Sequence, residues 1–206
     1  MRVAVVGGTG PFGTALARRL RETGAEVVIG SRDHDRAASV AVELGVEGAT
    51  NEVAVRAADL VVLAVNADAA LDTAHELREA IGATPVLSVA SELRFTSGGV
   101  LPSSEASSLA ERMQQELNGP VLAGLHSLAA ASLGAEEPPE EDAFVCGDDP
   151  EAKALVLELA GRLVSGRALD AGPLASARAL EGLTAVIVNL NKRYRAHAGI
   201  RVTGIS

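Results

Sequence analysis

The chain has 206 residues, of which 48% are hydrophobic and only 2% are aromatic. This length suffices for one large domain, or for a large and a small one, and a mainly aliphatic core suits helices packed on a buried parallel sheet. The formal net charge of −9 argues against binding to nucleic acid or to an anionic membrane surface, because both require a basic field on the protein.

The cysteine and histidine content bears on whether the chain holds a disulfide or a metal. Cys146 is the only cysteine, which excludes an internal disulfide and a metal site built from several cysteines. No two histidines have the spacing of metal ligands, so we expect no metal. No segment approaches the roughly 18 apolar residues of a membrane span, and the first strand begins without a signal sequence before it. We therefore expect a cytoplasmic protein.

Strand and helix patterns alternate through the first half of the chain. Aliphatic runs predict buried strands, and amphipathic segments between them predict helices. Strands are predicted over 3–6, 26–29, 60–65 and 85–89, and helices over 14–22, 36–44 and from the end of the third strand to about residue 80. This order predicts an α/β fold with a Rossmann-type, doubly wound parallel sheet.

The second half begins with a polar segment and returns to the same alternation. A loop is predicted over 91–104, helices over 105–117, 150–163 and 174–195, and strands over 121–125, 144–146 and 167–170. Asn118-Gly119-Pro120 interrupts the chain, and we place a domain boundary there. The sequence thus predicts a nucleotide-binding domain over 1–119 and a small C-terminal α/β domain over 120–206.

A glycine-rich loop follows the first predicted strand and opens a helix. Its spacing fits G-x-G-x-x-G, which in this context is typical of dinucleotide-binding folds. We expect the first glycine to allow the tight turn, the second to allow close approach of a pyrophosphate, and the third to allow packing of helix against strand. The alternative is a tight turn without a ligand. The candidate cofactor-binding residues here are Gly8, Thr9, Gly10, Pro11, Phe12 and Gly13.

The end of the second predicted strand indicates which dinucleotide is bound. NAD sites usually place an acidic residue there to hold the ribose hydroxyl, whereas this chain has Ser31 and Arg32. A guanidinium and a hydroxyl would bind a 2′-phosphate, and Arg36 lies one helical turn further on. NADP is therefore favoured over NAD. The alternative is that Arg32 and Arg36 only pair with Asp33 and Asp35.

Two further side chains are candidates for chemistry. His126 follows a predicted strand where ligands bind in open α/β sheets, although a hydrogen-bonded core histidine fits equally. Arg178 either holds an anionic or carbonyl group of a ligand or pairs with Glu181.

The largest concentration of positive charge lies near the C-terminus. It is either a solvated helix end, favoured by the helix dipole, or a surface that attracts an anionic ligand tail. Its members are Lys192, Arg193, Arg195 and Arg201.

Several segments resemble the NADPH-dependent coenzyme F420 reductases (F420H2:NADP oxidoreductases) over nearly the whole chain. The most specific are Val145-Cys146-Gly147-Asp148-Asp149 and Leu169-Asp170-Ala171-Gly172-Pro173-Leu174; the glycine loop, Gly30-Ser31-Arg32 and the segments 189–194 and 197–204 support them. The resemblance implies reversible hydride transfer between C4 of NADP(H) and C5 of the deazaflavin. It also implies that the C-terminal domain completes the deazaflavin pocket.

The resemblance also assigns residues. The glycine loop, Ser31, Arg32 and Arg36 are already candidate NADP contacts. The resemblance implies three more: Ala67, Ser91 and Ala130. Around the deazaflavin it places His126, Leu128, Arg178 and Thr184, of which His126 and Arg178 are the candidate catalytic residues. The chain departs from the family pattern at Val65-Asn66-Ala67, where Pro-Trp is frequent, at Ala129, where Pro is frequent, and at Gly182, where Ser is frequent.

Two other functions remain open at this point. One is a small NADP-dependent reductase with a flavin, imine or ketone acceptor, and the other is an NADP-binding sensor without catalysis. In either case the expected partners are small redox coenzymes. We also expect a homodimer, for which the long helix over 174–195 is a candidate surface.

Overall fold

The computed structural model describes residues 1–205, and within them the chain forms ten β-strands and eight α-helices. The strands are β1 (Arg2–Val6), β2 (Glu26–Ser31), β3 (Glu47–Thr50), β4 (Leu60–Leu63), β5 (Val86–Ser88), β6 (Leu93–Thr96), β7 (Gly99–Pro102), β8 (Val121–Gly124), β9 (Ala143–Gly147) and β10 (Ala168–Asp170). The helices are α1 (Pro11–Glu22), α2 (His34–Leu44), α3 (Asn51–Arg56), α4 (Ala67–Ile81), α5 (Leu109–Glu116), α6 (Ala130–Leu133), α7 (Pro150–Leu163) and α8 (Ala177–Tyr194).

Eight strands form one sheet in the order β10-β9-β8-β5-β4-β1-β2-β3. All neighbours are parallel except β8 and β9, which run antiparallel. The predicted α/β class with a Rossmann-type sheet is confirmed. Because β8 pairs with β5, with Val121 opposite Val86, the predicted boundary near residue 119 falls between two strands of one continuous sheet.

Helices cover both faces of the sheet, so the central strands are aliphatic throughout. In β1, Val3 and Val5 belong to the core under α1 and α7, whereas Ala4 and Val6 belong to the core under α3, α4 and α5. Side chains of a strand point alternately to opposite faces, so this strand has no polar side. Because β1, β2, β4 and β5 run parallel, their carboxyl ends lie at the same edge of the sheet.

The structure adds elements that the sequence pattern did not predict. The predicted loop over 91–104 contains the antiparallel hairpin β6–β7, and the edge strand β3 with α3 occupies the unassigned stretch before β4. Both are weakly patterned because their strands are partly solvent-exposed. Among the described residues, no helix has both the length and the apolar character needed to cross a bilayer.

Candidate active site

The turn between β1 and α1 is closed by three glycines in close contact. Gly7 has φ of +82°, and a Cβ there would lie 2.6 Å from the carbonyl oxygen of Ala64. A Cβ on Gly13 would lie 2.4 Å from the carbonyl oxygen of Gly7. The predicted packing role of Gly13 fits this geometry, but the left-handed residue of the turn is Gly7, whereas Gly8 instead packs against Ile29.

The first turn of α1 faces an open cavity. Within residues 1–205 no side chain caps this helix, so the N–H groups of its first turn are available to an anion. The only protein atom within 4 Å of a Cβ on Gly10 would be the carbonyl oxygen of Gly7, at 3.4 Å. The missing side chain of Gly10 therefore leaves space on the ligand side. Thr9 and Gly10 line this cavity, while Pro11 lies exposed at the helix start.

The first cavity has a volume of about 300 Å³ and brings together the residues predicted to bind the 2′-phosphate. Ser31, Arg32 and Arg36 all line it, and Nη2 of Arg36 donates a hydrogen bond to the carbonyl oxygen of Thr9 at 3.3 Å. The carboxylate of Asp33 caps α2 by accepting from the N–H groups of residues 35 and 36. Across the described chain, no ion pair joins Arg32 or Arg36 to an acidic residue, so the alternative pairing with Asp33 and Asp35 is absent there.

Asn51 is a lining residue of this cavity that the sequence did not indicate. It is the first residue of α3, directly after β3, and so lies at the same edge of the sheet. Its Oδ1 is buried and has no hydrogen-bond partner among residues 1–205. A Cβ on Gly30 would lie 2.9 Å from this oxygen, so the glycine gives the amide its space. The weak pattern of β3 concealed the position.

A second cavity of about 250 Å³ continues from the first. Val65 and Asn66 line both cavities, so the two form one trough along the sheet edge. The departure from the family pattern at these positions therefore lies at the junction of the cavities. Among the predicted residues, those that line the second cavity are Phe12, Ala67, Ser91, His126, Leu128 and Thr184.

His126 is a buried, neutral imidazole in this cavity. It is 6% exposed, and its Nε2 lies 3.2 Å from the carbonyl oxygen of Ala90. A carbonyl can only accept, so Nε2 carries the proton and Nδ1 is a bare acceptor. Nδ1 has no hydrogen-bond partner in the described part of the chain. Burial lowers the pKa of His126 to about 4, although the bond to Ala90 acts in the opposite direction.

The turn that carries His126 is strained and held from several sides. Leu125 is buried and has φ of +63°, an unfavourable conformation for a branched side chain. The hydroxyl of Thr184 on α8 donates to the carbonyl oxygen of His126 at 3.0 Å. Since that hydroxyl has only one proton, Ser91 donates to the oxygen of Thr184, across 2.7 Å. Ser91, Thr184 and His126 thus form a chain of hydrogen bonds between three elements.

Other predicted residues lie outside the two cavities. Arg178 is exposed in the first turn of α8, and Ala130 begins α6; neither lines the trough. Glu181 is buried and accepts from the backbone N–H groups of Leu109 and Ala110 at 3.1 Å each, so it caps α5 and is unavailable to Arg178.

Two of the departures from the family pattern also lie away from the trough. A Cβ on Gly182 would contact Pro102 of β7 at 3.5 Å, so Gly182 faces the hairpin. Ala129 directly precedes α6. In residues 1–205, no group of three or more histidine, cysteine or acidic side chains is placed to hold a metal ion.

Comparison with known proteins gives a consistent picture. Residues 2–92 match the family model described as NADP oxidoreductase, coenzyme F420-dependent. The F420-dependent NADP reductase of Methanothermobacter thermautotrophicus is 34% identical, with 100% of this chain and 96% of that protein covered. That of Methanocaldococcus jannaschii is 31% identical, with 100% and 99% covered.

Solved structures agree on the fold. A protein of Arthrobacter sp. FB24, described as a candidate F420-dependent NADP reductase, superposes with a TM-score of 0.84 at 26% identity, covering 99% of this chain and 100% of that one. An imine reductase of Streptomyces aurantiacus superposes with a TM-score of 0.65 at 25% identity, covering 95% of this chain but only 62% of the other. The larger reductase thus has a substantial part without a counterpart here.

Proposed function

The chain belongs to the family of F420-dependent NADP reductases, and from this we propose that it is an enzyme that transfers a hydride reversibly between NADP(H) and coenzyme F420. The observation that carries the proposal is the continuous trough, whose first cavity has an arginine-lined end and whose second is mainly aliphatic with one neutral imidazole. When bound, the nicotinamide and the deazaflavin supply the hydride donor and acceptor carbons.

The first cavity fits NADP. Arg32 and Arg36 offer two guanidinium groups, and Ser31 a hydroxyl, at the end of β2 where a 2′-phosphate would repel an acidic side chain. The uncapped first turn of α1 fits the pyrophosphate. Asn51 adds a polar amide at the same end, next to Gly30.

The second cavity fits two flat rings that react without a protein nucleophile. Leu128 and Phe12 give the cavity an apolar lining, and their bulk restricts where rings can lie. Nδ1 of His126 is a buried acceptor without a partner among the described residues, and the low pKa of this imidazole keeps it uncharged at neutral pH. We therefore assign His126 an orienting role rather than that of a general acid. Arg178 and Ala130, which line neither cavity, stay predicted contacts of the coenzymes.

The reaction and the phosphate site are tested together. The purified protein is mixed with NADPH and oxidised F420, and loss of the deazaflavin absorbance is followed, with NADH and FMN in parallel. We expect rapid bleaching with NADPH and F420 and much slower bleaching with NADH. Absence of bleaching while NADPH still binds would contradict the F420 assignment and favour another acceptor or a sensor.

Arg32→Ala gives the matched test of the phosphate site. A charge-assisted bond is worth about 1.5–3 kcal/mol, so the Kd for NADPH should rise about 10- to 100-fold while that for NADH stays unchanged. Arg18→Ala is the control, because Arg18 is exposed on α1 and lines neither cavity. Equal effects of the two variants would refute the assignment.

We also propose a cytoplasmic homodimer. The homodimer is supported by a stripe of exposed apolar side chains at successive turns of α8: Val186, Leu190 and Tyr194 are 50%, 39% and 68% exposed. Such a stripe on a helix is typical of an unpaired contact surface. The molar mass in solution, measured by light scattering, distinguishes a dimer from a 21.0 kDa monomer. Leu190→Glu should shift a dimer toward monomer.

A further inference from the structure

A basic groove lies at the tip of the β6–β7 hairpin, beside the C-terminal half of α8. It has a volume of about 440 Å³ and is lined by Ser97, Gly98, Gly99, Asn189, Lys192 and Arg193. The side-chain amide of Asn189 joins hairpin to helix, since its Oδ1 accepts from the N–H of Val100 at 2.9 Å and its Nδ2 donates to the carbonyl oxygen of Val100 at 2.7 Å. The two walls are therefore fixed relative to each other.

Two elements connect this groove to the second cavity. Thr184, Val188 and Lys192 lie at positions i, i+4 and i+8 of α8, so they form one row along the helix. Eight residues of helix span about 12 Å. On the hairpin, Leu93 at the start of β6 lines the second cavity, and Ser97 in the turn after β6 lines the groove. Four residues of extended chain span about 13 Å. A ligand of that length would reach from one to the other.

The charge of the groove contrasts with that of the whole protein. The chain carries a net charge of −9 and would repel a polyanion over most of its surface. Lys192 and Arg193 line the groove, and Arg195 follows them at the end of α8. Within residues 1–205, none of the ion pairs includes Lys192 or Arg193, and no acidic residue lines the groove.

We propose that this groove binds the anionic side arm of the second coenzyme. F420 carries a phosphodiester and glutamate carboxylates on a flexible arm attached to the deazaflavin ring, and these groups match a cationic groove about 12 Å from the ring site. Lys192 and Arg193 would hold the arm electrostatically while the second cavity holds the ring. The inference rests on the proposed function, because it presumes that the deazaflavin occupies the second cavity.

The test compares F420 with the deazaflavin riboside that lacks both phosphate and glutamates. Equilibrium binding is measured by quenching of deazaflavin fluorescence, without turnover, at low and high salt. For the native protein we expect the Kd of F420 to be about tenfold lower than that of the riboside at low salt. High salt should remove most of the difference, because exposed charges are screened. A form of F420 without glutamates separates the phosphate from the carboxylates.

Variants then assign the effect to the groove. Lys192→Ala combined with Arg193→Ala should raise the Kd of F420 about tenfold and leave the Kd of the riboside unchanged. The control is Arg56→Ala combined with Arg162→Ala, which removes the same charge from exposed sites elsewhere. Equal affinity of the native protein for F420 and the riboside would overturn the inference, as would equal effects of the two double variants. Failure of NADPH to reduce either compound would instead overturn the proposed function.

Discussion

Removing the hydroxyl of Thr184 is expected to lower both stability and turnover. Thr184→Val keeps the shape of the side chain but deletes the bond to the carbonyl oxygen of His126 at 3.0 Å and the bond from Ser91 at 2.7 Å. Each such bond contributes about 0.5–1.5 kcal/mol net, so the free energy of unfolding should fall by about 2 kcal/mol. For a chain of this size that corresponds to a Tm lower by roughly 4–8 °C.

The same change should affect the reaction through the turn at Leu125. That residue holds φ of +63° next to His126, and strained backbone persists only where its surroundings enforce it. Without the bond from Thr184, we expect the turn to relax and His126 to lose its orientation. The kcat should fall about tenfold, while the Kd of NADPH stays unchanged because Thr184 does not line the first cavity.

Urea unfolding and steady-state kinetics check both expectations. Thr184→Ser retains the hydroxyl and should restore most of the kcat. A double-mutant cycle between Thr184→Val and Ser91→Ala should give a coupling of at least about 0.5 kcal/mol. Native stability in Thr184→Val, together with zero coupling to Ser91, would refute the reasoning.

Three further outcomes follow from the structure. Gly13→Ala should lower the free energy of unfolding by about 2 kcal/mol in urea titrations, since its Cβ would lie 2.4 Å from the carbonyl oxygen of Gly7. The control Gly161→Ala on α7 should be neutral or stabilising, because the nearest atom to its Cβ would be Cβ of Ala168 at 3.7 Å. Hydrogen bonding from Arg167 holds the pKa of Asp142 well below its usual range, so the ionised Asp142 stabilises the fold fully above about pH 4 and less as the pH falls further. Asp142→Asn should therefore lower the free energy of unfolding by about 1–3 kcal/mol at pH 7, and this difference should shrink below pH 4 in acid titrations. The NMR signals of His126 should titrate near pH 4; a midpoint near 6.5 would contradict the buried neutral imidazole.

Local patterns in the sequence were sufficient for the sheet and for one end of the site. Strands buried on both faces must be aliphatic, so β1, β4 and β5 were recognisable without long-range information. The glycine loop and the pair Ser31-Arg32 were also recognisable, because both follow a strand directly and their chemistry depends on neighbours in sequence.

Contacts between distant segments decided the rest. The edge strand β3 and the β6–β7 hairpin have exposed faces and little periodicity, so Asn51 and the groove at the hairpin tip could not be located from pattern alone. Glu181 stands one turn after Arg178 on α8, yet it caps α5 from 71 residues away. The protonation state of His126 likewise depends on burial and on Ala90, 36 residues earlier. Spacing along a chain fixes which groups neighbour each other on one element, whereas desolvation and long-range hydrogen bonds arise only when elements pack together.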